Sequence, residues 1–329
     1  MVQSSSTVTI SRYTDAYSSN ELRVKLTGCI TSHTIVLDLG GAEIGREGAV
    51  VVADVIGDMV ALTSLNISNN KLVSVVDYKY TPKVRHEQRD SVMCEGVLCP
   101  VKTIWKSGYV YKLVQVHGVL ALANAIKYHK TLKLLNISDN CLCNPGVGSI
   151  LSDMLVGNTV LKELDVSKNT YYENDSFGYV QETFVRELAE GLRDNQGVET
   201  LNLSYNGIAS KEAGKILSDV LMQNTVLKHL DVSNNLIDRD FRGVSNNLLD
   251  QDLSLRGGNA YGSRGSMFAQ ELAVGLRANH TLYSLNISQH LVNNIHSKTS
   301  YYPVPIAIEG LQAIAEALQT NVSCVQCML

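Results

Sequence analysis

The sequence predicts an α/β solenoid, a stack of strand–turn–helix units, and three observations carry that prediction. The first is an eleven-residue pattern, LxxLxLxxNxL, that recurs seven times along the 329 residues. Its clearest copies are Leu62-Leu65-Ile67-Asn70-Leu72, Leu132-Leu135-Ile137-Asn140-Leu142 and Val198-Leu201-Leu203-Asn206-Ile208. Others start at Leu161, Leu227 and Leu282, and a degenerate one at Thr34. The second is a pair of apolar columns counted back from the second motif position. Thirteen places earlier stand Val52, Leu122, Leu151, Leu188, Leu217 and Leu272; nine places earlier stand Ile56, Ile126, Leu155, Leu192, Leu221 and Leu276. The third is the spacing of 28 or 29 residues between several successive copies. Such a period marks units that bury their apolar faces only by stacking on one another.

Each element follows from these columns. The LxL triplet is a short strand whose alternate residues face opposite sides. The motif asparagines Asn70, Asn140, Asn169, Asn206 and Asn235 fall where the chain leaves the strand, and a buried amide there needs backbone partners. Large residues four apart, with small Ala53, Ala123, Ser152, Ala189, Ser218 or Ala273 between them, make the inner face of a closely packed helix. Asn158, Asn195, Asn224 and Asn279 stand where that helix should end. The register continues through Leu318 and Asn321 to Cys324 and Cys327, which take two leucine places. The terminal CxxC is therefore read as small buried hydrophobes and not as zinc or redox chemistry. Residues 1–20, rich in Ser, Thr and Tyr, form an N-terminal tail or cap, and 21–329 make about eight repeats.

A helix-bearing leucine-rich repeat of this length resembles the ribonuclease-inhibitor-like class. That class includes ribonuclease inhibitor, the Ran GTPase-activating protein and the repeat regions of NOD-like receptors. The resemblance covers about residues 21–329. It implies a right-handed horseshoe with a parallel sheet on the concave side and helices on the convex side. Ribonuclease inhibitor is far richer in cysteine and lacks such interruptions. The Ran activator carries an acidic tail after its repeats, whereas this chain stops inside one. Neither function carries over directly.

Successive motif origins, ending at Cys327, differ by 28, 70, 29, 37, 29, 55 and 42 residues. The surplus falls at about 73–115, 172–180, 238–266 and 293–306, each time after the Asn turn and before the next helix. All four insertions should leave from one edge, at the C-terminal ends of the strands, and insertions on one edge often build a binding face. The first three occupy every second gap, as though the building unit were a pair of repeats.

The 73–115 insertion holds the only tryptophan, Trp105, with Tyr78, Tyr80, Tyr109 and Tyr111. Seven basic residues, Arg85 and Arg89 among them, oppose four acidic ones there, in a chain of net charge −4. Tyr, Trp and Arg dominate interface hot spots. Strand-like alternation near 73–76 and 109–116 predicts a small β hairpin. The insertion is either a partner-binding element or a cap folded back on the solenoid. The 238–266 insertion reads as a loop, and its glycine run lacks the Gly-Lys-Ser/Thr of a phosphate loop. On the concave face, Asp38, Asn66, Asn136, Asp165, Asn202, Asp231 and Asn286 form a small polar ladder. Its acidic members Asp165 and Asp231 are candidate contacts for a basic or hydrogen-bond-rich partner.

Little points to chemistry. No HExxH, GxSxG, dinucleotide fingerprint or EF-hand loop occurs. Cys94 and Cys99 with Cys141 and Cys143 have an unusual spacing for zinc. No catalytic residue, metal or cofactor is expected. A pI near 6.1 makes no electrostatic case for nucleic acid, and no run of eighteen apolar residues predicts a membrane span. Seven irregularly spaced cysteines and the lack of an apolar leader predict an intracellular, cytoplasmic protein. The Asn-Ile-Ser triplets at Asn66, Asn136 and Asn286 lie inside the strand motif and are read as consensus, not glycosylation sites. The expected function is a non-catalytic protein–protein interaction or scaffold role, with GTPase activation of the Ran type as the alternative.

Overall fold

The computed structural model describes residues 7–10, 19–31, 33–79, 91–94, 97–106, 108–144, 146–170, 177–208, 210–235, 237–239, 262–288, 301–303, 306 and 308–329. The chain forms two compact units, 1–201 and 202–329.

The first unit opens with β1 (Thr7–Thr9), α1 (Ser19–Cys29), β2 (Val36–Asp38), α2 (Gly45–Ile56) and β3 (Ser64–Asn66). The large insertion supplies β4 (Ser74–Lys79), β5 (Ser91–Cys94), β6 (Val97–Lys106) and β7 (Gly108–Gln115). Then come α3 (His117–Lys127), β8 (Leu134–Asn136), α4 (Val147–Gly157), β9 (Glu163–Asp165), α5 (Phe177–Asp194) and β10 (Thr200–Asn202), whose last residue opens the second unit. The motif strands pair in parallel and in register, so Leu37, Leu65, Leu135 and Leu164 stand side by side. All four are buried. β1 extends this sheet, with Val8 opposite Leu37.

Burial follows the sequence columns. Val52 and Ile56 of α2, Leu122 and Ile126 of α3, and Leu151 and Leu155 of α4 are all core residues. Fully burying one such side chain contributes about 1.5–3 kcal/mol. The small residues have a steric reason. A Cβ on Gly191 of α5 would come within 2.5 Å of the Ser152 carbonyl oxygen on α4. α5 begins at Phe177, so the 172–180 surplus is absorbed partly by a longer helix.

Two asparagine columns tie the repeats together. In the strand-exit column, Asn140 Nδ2 donates to the carbonyls of Ile67, Ile137 and Ser138 at 2.9–3.1 Å. Its Oδ1 accepts the Asn70 N–H at 2.8 Å, and Asn169 Oδ1 accepts the Asn140 N–H at 2.7 Å. Each amide thus satisfies backbone groups in its own repeat and the one before, as buried polar groups require. Asn69, Asp139 and Lys168, one place earlier, take left-handed backbone angles (φ 52°, 55° and 57°) to make this exit. In the helix-end column, Asn158 Nδ2 donates to the Ile126 carbonyl at 2.6 Å, and its Oδ1 accepts the Val160 and Leu161 N–H groups at 2.8 Å.

The second unit repeats the design with α6 (Lys211–Gln223), β11 (His229–Asp231), β12 (Ile237–Arg239), α7 (Gly262–Ala278), β13 (Ser284–Asn286), β14 (Tyr301–Pro303), α8 (Ile308–Thr320) and β15 (Gln326–Met328). Leu230, Leu285 and Cys327 align across parallel strands. Cys324 is buried, and burial pushes the Cys327 thiol up to about 11. Both are placed as the leucines they replace. β12 and β14 pair antiparallel, Asp238 opposite Tyr302, so the third and fourth insertions meet.

Candidate interaction surfaces

On the strand face the polar ladder is built into the turns. Asp165 Oδ1 accepts the Ser167 N–H at 2.9 Å, and Asp231 Oδ1 accepts the Ser233 N–H at 2.8 Å. The second Asp231 oxygen accepts from Asn286 Nδ2 at 2.9 Å. Asn66 Nδ2 likewise donates to Asp38 at 2.8 Å. Asp165 and Asp231 are therefore structural groups with only part of their surface offered outward, and the amide nitrogens of Asn66 and Asn286 are engaged.

The column just before each motif leucine is more distinctive, and sequence reasoning passed over it. In the first unit it presents exposed Leu134 and Glu163, next to a Lys162–Glu199 ion pair of 3.1 Å. In the second it presents His229, whose ring meets edge to face that of Tyr283, one place ahead of the column and 44% exposed, with centroids 5.7 Å apart. The available signal was the alternation of the strand. The residue two places before Asp231 must share its side of the sheet.

The 73–115 insertion forms a four-stranded antiparallel sheet, ordered β4-β7-β6-β5. The predicted hairpin is its β4–β7 half. Tyr78 stands opposite Tyr111, and Trp105 opposite Tyr109. Alternation then puts positions 78, 105, 109 and 111 on one side of the sheet. Lys79, Lys102, Lys106 and Lys112 occupy register positions on the other. Tyr80, Arg85 and Arg89 lie outside the described residues. The stem is anchored on α2: Arg46 donates to Ser74 Oγ at 2.8 Å and to Gln115 Oε1, and Ser74 donates to Gln115 at 2.8 Å. Beside it, Glu47 pairs with Arg46 at 2.9 Å and His117 at 3.1 Å. Burial pushes the Glu47 carboxyl up, but these two partners outweigh it and hold it below the usual carboxylate range.

Among the described residues no three His, Cys, Asp or Glu side chains cluster as a metal site, and no helix is long and apolar enough to cross a membrane. Cys141 is half-buried, Cys143 is buried, and desolvation raises both thiols. The Cys94 and Cys99 side chains lie outside the described residues. An apolar cavity lined by Leu72, Leu122, Ile126 and Met154 measures about 10 Å³, too little for a ligand.

Stacked motif leucines, a helix in each unit and two buried asparagine columns define a leucine-rich repeat protein. No protein-family model matches the chain, and no curated protein matches it. Among solved structures it is similar to the leucine-rich repeat-containing protein LegL7 from Legionella pneumophila, at 16% identity and a TM-score of 0.48, over 93% of this chain and 68% of that one. It is also similar to the leiomodin-1 actin-binding site 2, at 15% identity and a TM-score of 0.40, over 63% of this chain and 90% of that one.

Proposed function

We propose that the chain is a non-catalytic protein-interaction or scaffold module that binds through its strand face and its insertion edge. The observation that carries this reading is the register of the insertion sheet, which brings positions 78, 105, 109 and 111, all aromatic in sequence, to one side. A surface of large aromatic residues is what an interface core uses, because each buries much area at little entropic cost. The Glu163 and His229 positions on the strand face, with Tyr283 beside the latter, supply secondary contacts, and Asp165 and Asp231 act as their polar frame. An intracellular, cytoplasmic setting suits thiols placed as core residues and amide nitrogens already bonded in the ladder.

Affinity purification of the tagged chain from native cells, compared with Trp105→Ala, tests the reading. Loss of a specific protein from the variant's eluate, with affinity weakened by about 2 kcal/mol or more, supports a central anchor. Identical eluates contradict it. Stimulated GTP hydrolysis in a panel of small GTPases would instead establish the GTPase-activating alternative.

A further inference from the structure

One rung of the helix-end column is a histidine. Asn158, Asn195, Asn279 and Asn321 each donate to a carbonyl of the preceding repeat's helix: Ile126, Leu155, Leu221 and Leu276. Each also accepts backbone N–H groups two and three residues ahead. In the repeat that follows the large insertion, His129 fills the place. Its Nδ1 accepts the N–H of Thr131 at 3.4 Å and of Leu132 at 3.1 Å, and its Nε2 lies 3.1 Å from the Ile56 carbonyl. His129 is 7% exposed. It reproduces the asparagine amide atom for atom in role: Nδ1 for the carbonyl oxygen, Nε2–H for the amide N–H. This works only for the neutral imidazole with its proton on Nε2, because a protonated Nδ1 would point a donor at two donors.

The other end of α3 also meets α2 through a histidine. His117 Nε2 lies 3.1 Å from Glu47 Oε1. Protonation of His129 removes the acceptor at Nδ1 but leaves Nε2–H on the Ile56 carbonyl. We propose that the turn closing α3 is a pH-responsive joint, in which acid breaks the His129 Nδ1 bonds to Thr131 and Leu132 while the Ile56 and Glu47 contacts keep the two ends of the helix on α2.

Desolvation holds His129 below the usual histidine value, against a smaller opposing pull from the Ile56 carbonyl. The sign follows from linkage. The rung is complete above the ordinary value of about 6.5 and is lost as pH falls through the lower folded value. Titratable groups on the surrounding elements are Asp54 and Asp58 from the α2 end, Lys127, Tyr128 and Lys130 from the α3 end, and Asp153 on α4. Asp54 is paired with Arg23 at 2.6 Å and Lys127 with Asp153 at 2.8 Å, so both are engaged elsewhere.

Hydrogen exchange of the full chain, corrected for the intrinsic pH dependence, tests the joint in the wild type, His129→Asn and His117→Gln. Between about pH 7.5 and about pH 5, the wild-type amides of Thr131 and Leu132 should lose about tenfold in protection, the weight of one ordinary hydrogen bond. His129→Asn should abolish that response, and His117→Gln should retain it. The same acid response in His129→Asn as in the wild type overturns the proposal. If that variant does not fold, the ring ¹⁵N shifts of the wild type decide. A neutral Nε2–H tautomer that titrates below free histidine supports the joint, and an Nδ1–H tautomer or ordinary titration overturns it.

Discussion

Segments 148–169 and 214–235, one in each compact unit, are identical at sixteen of twenty-two positions. The shared residues include the buried pairs Leu151 and Leu217, Leu155 and Leu221, Leu164 and Leu230, and the column asparagines Asn158 and Asn224, Asn169 and Asn235. Of the six differences, only Met154 to Val220 is a swap of core hydrophobes. Ser149 to Lys215, Val156 to Met222 and Gly157 to Gln223 lie on the outer side of the helix, and Lys168 to Asn234 in the turn. The single strand difference is Glu163 to His229, on the outward side of the sheet. Helix starts differ as well. Ser210 caps α6 with its own side chain, accepting the Ala213 N–H at 3.0 Å. α4 starts from Gly146 at φ 81° and is capped from α5, where Glu187 accepts the Ser149 N–H at 3.1 Å. The comparison teaches that packing and the amide columns hold the repeat, while faces, caps and insertions are free to vary and can carry specificity.

That division can be broken by substitution. The largest expected effect is at a motif leucine: Leu201→Ala should cost roughly 2–5 kcal/mol in chemical denaturation, by opening a cavity in a residue site that is 1% exposed. Asn140→Ala should cost roughly 2–3 kcal/mol, since it strands carbonyls of two repeats without a donor. The caps come next. Glu187→Gln and Ser210→Ala should each cost about 1 kcal/mol, and an unequal result would show that the borrowed cap and the local one are not equivalent. Exchanging the face residues, Glu163→His or His229→Glu, should change stability by less than about 0.5 kcal/mol. A larger loss from the exchange than from either cap would erase the distinction between frame and face.

The frame was legible because it is periodic. Every column named from the sequence, from Val52 and Ile56 to Asn235, occupies its predicted element, and even Cys324 and Cys327 could be placed by register alone. What the period missed was substitution by role. His129 stands in the helix-end column, but only the bond from Nε2 to Ile56 and the two into Nδ1 reveal that an imidazole is serving as an amide. In the insertion, the first and last strands in sequence, β4 and β7, alternate and were foreseen as a hairpin. β6 was not, because Pro100 demotes a strand run in sequence, and only the structure shows it pairing there with Ser91. The β12–β14 pair joins three-residue segments some sixty positions apart, which no local pattern encodes. The candidate site was legible in composition, through Trp105 and its tyrosines, but their shared side of the sheet depends on a register that composition does not contain. Asp165 and Asp231 were legible as a ladder, while their service to the turns was not.

The most direct test of the division between frame and face replaces residues 76–110 with a short Gly/Ser bridge and measures thermal midpoint and recovered partners together. The stem residues Ser74 and Gln115, and the Arg46 that binds them, stay in place. The account predicts an unchanged midpoint and loss of a partner that the intact chain recovers. A lowered midpoint with the same partners recovered would make the insertion a cap, and would contradict the claim that recognition resides there.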